Sequence, residues 1–190
     1  MAIETEIKLR IAGSAAGARE LLERLGYRAR GARVLEADRL YDRASGELEA
    51  SGKVLRLRSA GGAWTLTYKG PPIDGRYKSR EEIELRVADG ASMEQVLLAL
   101  GYHAGFRYEK YRTVFSRHGE PGIVTLDETP MGPFLELEGP GDWIDGTTVK
   151  LGFLTKDYVS ATYAMLYDQY RKKHPGLPRN MVFFKDDSTS

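Results

Sequence analysis

Residues 3–11 alternate strictly between two kinds of side chain, and this alternation restricts the fold more than any other feature of the sequence. Ile, Thr, Ile, Leu and Ile occupy the odd positions, and only charged residues occupy the even ones. A period of two is that of a β-strand, in which successive side chains point to opposite faces. The segment therefore predicts a strand with one mainly apolar face and one face made of charge, from Glu4, Glu6, Lys8 and Arg10.

The same kind of charged face recurs later in the chain. Seven further strands are predicted at about 34–42, 53–59, 63–69, 82–87, 106–116, 122–128 and 133–139, separated by loops rich in Gly and Pro. Charges of both signs alternate along several of them, at Arg56 and Arg58, at Arg80, Glu82, Glu84 and Arg86, at Lys110 and Arg112, and at Glu136 and Glu138. The sequence thus predicts eight strands, several of which share a charged face.

Three amphipathic helices accompany these strands. The first follows Ser14, a helix-capping residue, and ends at Gly26; the second spans about 92–100 and ends at Gly101; the third spans about 157–172. The first two each follow an alternating charged strand and each end in Leu-Gly-Tyr. Because strand, helix and exit return in the same order, we infer an internal duplication.

Composition restricts the class of protein. The 190 residues carry 28 Lys and Arg against 27 Asp and Glu, a formal net charge of +1, and no cysteine. This length suits one domain, expected at residues 1–173, with an irregular carboxy-terminal tail at 174–190. The balanced charge argues against a nucleic-acid partner, because nonspecific nucleic-acid binding needs an excess of basic residues. The absence of cysteine excludes disulfides and thiolate zinc sites, so metal binding would rely on carboxylates.

The sequence gives no indication of a membrane partner. No run approaches the roughly 20 apolar residues that a membrane-spanning helix needs. The amino terminus lacks the basic start and apolar stretch of a secretory signal. We therefore expect a cytoplasmic location.

Two architectures could accommodate the charged strand faces. In an open sheet the charged face would look toward water and form ion pairs between strands. In a closed barrel the charged side chains would point inward around a solvated lumen. Eight strands are enough to close, and three amphipathic helices could cover the apolar outer face. We therefore predict an α+β fold with a closed eight-stranded antiparallel β-barrel, a charged lumen and helices packed on the outside.

Charge enclosed in a lumen needs counter-charge, a metal or a ligand, because unpaired buried charge is costly. Clustered carboxylates without His or Cys suit a hard divalent cation such as Mg²⁺ or Mn²⁺. Clustered Lys and Arg suit phosphate oxygens, which guanidinium groups can bind through two hydrogen bonds. Both sets in one cavity point to a site for a metal and a polyphosphate.

The motifs also resemble a known family. Glu4-Thr5-Glu6-Ile7-Lys8 resembles the Glu-x-Glu-x-Lys signature of the CYTH superfamily, the triphosphate tunnel metalloenzymes. Later motifs follow in the family's order: Leu55-Arg56-Leu57-Arg58, Thr65-Leu66-Thr67-Tyr68-Lys69-Gly70, Arg80-Glu81-Glu82-Ile83-Glu84, Glu109-Lys110-Tyr111-Arg112, Leu126-Asp127 and Phe134-Leu135-Glu136-Leu137-Glu138. One such motif is weak support, but the ordered set spans roughly residues 3–170 and is specific.

The resemblance implies a role for each matched residue. The metal would be held by Glu4, Glu6, Asp127, Glu136 and Glu138. The triphosphate would be held by Lys8, Arg56, Arg58, Lys69, Lys110, Arg112 and Lys156. The catalytic set would be Glu4, Glu6, Lys8 and Asp127, with Glu82 and Glu84 in support.

Other charged and aromatic residues receive a plainer interpretation. The positions of Arg10, Arg80 and Arg86 permit the lumen or its rim, but surface ion pairs, the commoner fate of such residues, are expected. Trp64, Tyr68 and Tyr111 alternate with the charged set and are expected to face outward under the helices.

The resemblance implies a triphosphate substrate more firmly than it implies one reaction. Class IV adenylate cyclases form cyclic AMP and pyrophosphate from ATP, and the stretch Phe106-Arg107-Tyr108-Glu109 before Lys110 looks most like that branch. Hydrolysis of inorganic tripolyphosphate or thiamine triphosphate is the second reading. A third is a module that binds polyphosphate or a nucleotide without catalysis, although binding alone would not need so many carboxylates. Whether the chain forms a homodimer stays open.

Overall fold

Nine strands of the computed structural model, which describes residues 2–73 and 75–184, form one antiparallel sheet. The strands are β1 (Ala2–Arg10), β2 (Arg28–Ala29), β3 (Val34–Arg43), β4 (Val54–Ala60), β5 (Ala63–Lys69), β6 (Lys78–Val87), β7 (Tyr102–Ser116), β8 (Ile123–Thr129) and β9 (Gly132–Glu138). The helices are α1 (Ala15–Arg24), α2 (Glu47–Ala50), α3 (Gly90–Ala99), α4 (Gly141–Lys150) and α5 (Tyr163–Lys173), with a 3₁₀ turn at Thr155–Asp157.

The sheet closes into a barrel of eight strands. Around the ring the order is β7-β3-β4-β5-β6-β1-β9-β8, and pairing of β8 with β7 completes the circle. The two-residue strand β2 pairs only with β7 and stands outside the ring. The predicted α+β fold with a closed antiparallel barrel is confirmed.

The strand pairing has an approximate two-fold symmetry. The neighbours β3-β4-β5 match β7-β8-β9, and β1 beside β9 matches β6 beside β5. Helix α1 follows β1 and α3 follows β6, and both helices end before a glycine with positive φ, +87° at Gly26 and +82° at Gly101. Glycine is favoured there because it adopts left-handed backbone without a steric penalty. The arrangement agrees with the inferred duplication.

Apolar side chains from the outer barrel face pack against the helices. Leu22 of α1 and Ile144 of α4 share a buried cluster with Leu9 of β1 and Leu137 of β9. Leu97 of α3 packs with residues of β3 and β4 in a second cluster. Burial of such side chains stabilises the fold by about 1.5–3 kcal/mol each. Because these apolar side chains face outward, the side chains at the alternate positions of each strand point into the lumen.

Helix α5 packs across one end of the barrel. Tyr163, Leu166 and Tyr167 form a buried cluster with two residues that share the inward face of their strands, Tyr108 of β7 and Phe134 of β9. This cluster fills the barrel interior at that end, and the charged lumen lies beyond it.

The structure differs from the prediction at several elements, including the following three. Strand β6 begins at Lys78 instead of residue 82, because Lys78-Ser79-Arg80 is polar at every position and hides the alternation. Helix α4 was missed because Gly and Thr, which are poor helix formers, occupy several of its positions. Helix α5 begins at Tyr163 instead of residue 157, since Thr162 caps it through the Met165 backbone N–H.

A later part of the predicted tail packs on the barrel. Met181 is fully buried and exchanges backbone hydrogen bonds with β7, to the carbonyl of Arg107 and from the N–H of Glu109. Phe183 packs against the ring of Tyr111, with ring centroids 5.1 Å apart. The final residues of the predicted tail, 185–190, lie outside the described part of the chain.

Within the described residues, no helix combines the length and the apolar character that crossing a membrane requires.

Candidate active site

The barrel encloses a cavity of about 1160 Å³ lined by charged side chains of both signs. It brings together most of the site residues predicted from the sequence: Glu4, Glu6, Lys8, Arg56, Arg58, Lys69, Glu82, Glu84, Lys110, Arg112, Glu136 and Glu138. Each occupies an inward position because side chains alternate between the faces of a strand. An open sheet with these residues facing bulk water is excluded by the closed strand order.

The charges are distributed unevenly around the lumen. Six carboxylates come from β6, β1 and β9, which are neighbours in the ring: Glu82 and Glu84, Glu4 and Glu6, Glu136 and Glu138. Four of the lumen cations come from β4 and β7, which flank β3: Arg56, Arg58, Lys110 and Arg112; the strands that carry the carboxylates also bring Lys8, Lys78 and Arg80 into the lumen, in smaller number than the carboxylates. Since β1 and β3 stand four places apart in a ring of eight, an acidic wall faces a cationic wall across the cavity.

Buried carboxylates behind the cationic wall hold its guanidinium groups in place. Asp38 of β3 is fully buried and accepts two hydrogen bonds from Arg58, at 2.8 and 3.2 Å. Arg56 Nε lies 3.4 Å from the same carboxylate. Burial alone would raise the pKa of Asp38, but the charges of Arg58 and Arg56 outweigh burial and the pKa is lowered. Asp38 is therefore an ionised anchor for the cationic wall, which the sequence analysis did not identify.

Asp127, a predicted metal ligand, does not line the cavity. Its side chain is fully buried and accepts hydrogen bonds from Lys110 at 2.7 Å, from Arg112 at 2.6 Å through each of two nitrogens, and from the Tyr163 hydroxyl at 2.8 Å. Both carboxylate oxygens are thus engaged. The structure places Asp127 as the anchor of two phosphate-binding candidates and not at the cavity surface.

Several carboxylates of the acidic wall already have cationic partners. Glu6 lies 2.6 Å from Lys78 and 3.3 Å from Lys8, and Glu136 pairs with Lys8 at 3.2 Å and with Arg112. Burial would raise the pKa of Glu6, but the charges of Lys8 and Lys78 lower it overall. Glu6 is therefore held ionised beside Lys8.

Glu4 and Glu138 differ from these paired carboxylates. Neither forms an ion pair with any residue in the described part of the chain. Burial, followed by the nearby charges of Glu82 and Glu138, raises the pKa of Glu4 to about 7. Burial and the charge of Glu6 also raise the pKa of Glu138. These two groups lie among like charges and have no ion-pair partner in the described part of the chain.

The acidic wall fits a divalent cation by its chemistry. Carboxylate oxygens are the preferred ligands of Mg²⁺ and Mn²⁺, and a cation would relieve the repulsion around Glu4. No three carboxylates among the described residues are already arranged as a metal-binding group.

Two lumen cations were not predicted. Arg80 was expected in a surface ion pair, but it is buried, with 5% exposure, lines the cavity and has no ion-pair partner among the described residues. Lys78 also lines the cavity; burial, followed by the charge of Lys8, lowers its pKa to about 8. Lys78 was missed because β6 shows no alternation at its start, whereas Arg80 alternates with Glu82 and Glu84 but was expected at the surface. The prediction for Arg80 was wrong, whereas Arg10 and Arg86 are exposed.

The predicted binding residue Lys156 is not part of the cavity lining. It is exposed in the 3₁₀ turn at Thr155–Asp157, before α5. Tyr163, at the start of α5, reaches the lumen instead. Trp64 and Tyr111 lie on the outer face, as predicted, Trp64 under α3 and Tyr111 beside Phe183.

Together, the closed barrel and its two charged walls define a tunnel-type β-barrel protein. The chain belongs to the CYTH domain family, whose model matches residues 2–146. A protein of Methanocaldococcus jannaschii named "putative adenylate cyclase" is 32% identical over 136 residues, which cover 72% of this chain and 76% of that protein.

Solved structures share the fold. A Vibrio parahaemolyticus protein, also described as a "putative adenylate cyclase", superposes with a TM-score of 0.75 at 20% identity, covering 87% of this chain and 98% of that chain. A Hippeastrum protein described as a "putative adenylyl cyclase" with a dominant triphosphatase activity superposes with a TM-score of 0.66 at 16% identity, covering 90% and 96%.

Proposed function

We propose that the protein is a divalent-metal-dependent enzyme that acts on a triphosphate bound in the barrel lumen. The observation that carries the proposal is the opposition of two walls: Glu4 and Glu138, which have no ion-pair partner among the described residues, face a row of anchored cations. In a metal–polyphosphate complex the metal ion is positive and would match the carboxylates, and the phosphates are negative and would match the cations. Such a substrate would satisfy both walls at once.

The cationic wall would bind the phosphate oxygens. Arg56, Arg58, Lys110 and Arg112 line one side of the cavity, and buried carboxylates fix their orientation. Guanidinium groups held in this way can bind phosphate through paired hydrogen bonds. They would also stabilise the negative charge that develops as a phosphoryl group is transferred. Further cations would contribute from β1, β5 and β6: Lys8, Lys69 and the unpaired Arg80.

The acidic wall would hold the metal. Glu4 and Glu138 are the free ligands, and Glu6 and Glu136 would join by giving up part of their contact with lysine. A bound Mg²⁺ or Mn²⁺ would neutralise and polarise the phosphate oxygens. Glu82 and Glu84 would support the neighbouring cations, since Glu82 pairs with Lys69 and Glu84 lies 3.3 Å from Arg56. Asp127 would act through Lys110 and Arg112.

Cyclisation of ATP to cyclic AMP and pyrophosphate is the first candidate reaction. It is supported by the name of the M. jannaschii relative, which aligns over most of this chain. In this reaction the 3′-hydroxyl attacks the α-phosphorus. The cavity, at about 1160 Å³, has room for a nucleoside beyond the phosphate chain.

Hydrolysis of a triphosphate is the second candidate reaction, with tripolyphosphate or thiamine triphosphate as substrate. It is supported by the triphosphatase activity ascribed to the Hippeastrum protein of the same fold. The same wall of cations would serve when water attacks the terminal phosphorus. The atom that lies in line with the leaving group decides between the two reactions.

A product analysis separates these reactions. Purified protein with Mg²⁺ or Mn²⁺ is offered ATP, tripolyphosphate and thiamine triphosphate in parallel, and cyclic AMP, pyrophosphate and orthophosphate are resolved. Cyclic AMP with pyrophosphate supports the cyclase, and orthophosphate from tripolyphosphate supports the hydrolase. No turnover of ATP, tripolyphosphate or thiamine triphosphate would contradict catalysis and leave a binding module.

A further inference from the structure

Tyr163 places an aromatic side chain of α5 inside the ion network of the lumen. It is the first residue of the helix, is 5% exposed and lines the cavity. Its ring packs edge-on against Phe134, with centroids 5.5 Å apart, and lies 6.0 Å from the ring of Tyr108. These contacts fix the position of the ring at the boundary between the apolar end of the barrel and the charged part.

The hydroxyl group of Tyr163 has a specific partner. It donates a hydrogen bond of 2.8 Å to Asp127 Oδ2, the oxygen that also accepts from Lys110 at 2.7 Å and from Arg112 at 2.6 Å. If the side chain only filled the barrel end, phenylalanine would pack equally well. Here the buried phenol and the two cations donate to the same carboxylate oxygen, so the phenol shares the negative charge of Asp127 with them.

The ring of Tyr163 contacts two of the lumen lysines. Lys8 Nζ lies 5.3 Å and Lys110 Nζ lies 5.1 Å from the ring centroid. An ammonium group within about 6 Å of an aromatic face is attracted to it, and more strongly where water is scarce. One side chain therefore contacts Lys8 and Lys110, which belong to different walls.

We propose that Tyr163 is a positioning residue: its hydroxyl limits how strongly Asp127 attracts Lys110 and Arg112, and its ring orients Lys8 and Lys110 toward bound phosphate. This inference rests on the proposed function, because it assumes that phosphate oxygens bind in the lumen. It assigns α5, which lies beyond the matched region 2–146, a direct part in shaping the site.

The test is calorimetric binding of tripolyphosphate, without added metal, to the full-length chain and its variants. In Tyr163→Phe only the hydroxyl is lost, so Asp127 draws the cations more strongly and the dissociation constant should rise about tenfold. In Tyr163→Leu the ring is lost as well, and binding should weaken further. If Tyr163→Leu does not fold, the Phe variant still decides.

Tyr27→Phe is the matched control. Tyr27 is also fully buried and donates a hydrogen bond of 2.6 Å to a carboxylate, that of Glu120, but it belongs to the outer cluster under α1 and α4. Tyr27→Phe should lower thermal stability to a degree similar to Tyr163→Phe and leave tripolyphosphate affinity unchanged.

In turnover assays, Tyr163→Phe should raise KM more than it lowers kcat.

The two proposals fail in different ways. If wild-type protein binds tripolyphosphate and Tyr163→Phe binds it equally well, the role of Tyr163 is overturned and the proposed function stands. If wild-type protein does not bind tripolyphosphate in the presence or absence of metal, the proposed function is overturned, and the role of Tyr163 with it.

Discussion

At the scale of single residues, the number of partners separates lumen side chains that organise the site from those that are free to bind. Asp38 and Asp127 are saturated by cations and have no exposed surface. Glu4, Glu138 and Arg80 lack ion-pair partners in the described part of the chain. The saturated groups would be costly to disturb, and the free groups are the ones that a ligand could satisfy.

Glu4 should make the stability of metal-free protein depend on pH near neutrality. Its pKa is about 7 in the folded protein against an ordinary value of 4.5, so the folded state binds a proton more readily than the unfolded chain. The free energy of unfolding should therefore rise, relative to Glu4→Gln, as pH falls from about 8 to about 5. Denaturant titrations across this range measure the difference, and parallel curves for the two proteins would refute the assignment.

Asp38→Asn should destabilise the barrel strongly. The substitution leaves Arg58 and Arg56 buried without their shared anion, and breaking a buried pair costs about 3–5 kcal/mol. Glu128→Gln, which breaks the exposed pair between Glu128 and Arg33, should cost less than about 1 kcal/mol. Urea denaturation gives both values. Equal losses in the two variants would argue against Asp38 as an anchor.

At the scale of elements, alternation predicted the strands well and helix signals predicted the helices less well. The charged faces of β1 and β9 were visible because Glu and Lys alternate with Ile and Leu. Helix α4 was not visible, because its position depends on packing of Ile144 and not on helix propensity. The start of β6 was hidden by polar residues on both faces, so Lys78 was not assigned to the lumen; Arg80 was expected in a surface ion pair, although it alternates with Glu82.

Two glycines at helix starts should respond oppositely to alanine. A Cβ at Gly90, the first residue of α3, would lie 2.2 Å from the Trp64 ring, so Gly90→Ala should cost at least about 1–3 kcal/mol. A Cβ at Gly17, in the exposed first turn of α1, meets only Ser14 Oγ at 3.5 Å, so Gly17→Ala should stabilise by about 0.5–1 kcal/mol. Thermal unfolding compares them. A stable Gly90→Ala protein would contradict the packing of α3 on β5.

At the scale of the whole molecule, barrel closure turns local alternation into a site. β1 and β3 are far apart in the ring, and only closure brings their inward faces opposite each other. Sequence reasoning could therefore predict lumen residues on strands, such as Glu4 and Arg58, from their phase. It could not find Tyr163, because the end that α5 covers depends on how the helix packs. For the same reason it placed Lys156, rather than Tyr163, beside the lumen.

The central claim is that one triphosphate and its metal lie between the two walls. The most direct test is a crystal structure of the full-length chain with tripolyphosphate and Mn²⁺, in which anomalous scattering locates the metal. We expect Mn²⁺ at the carboxylates of Glu4 and Glu138, and phosphate oxygens on Arg56, Arg58, Lys110 and Arg112. Phosphate or Mn²⁺ bound outside the barrel, with the lumen ion pairs unchanged, would contradict the account.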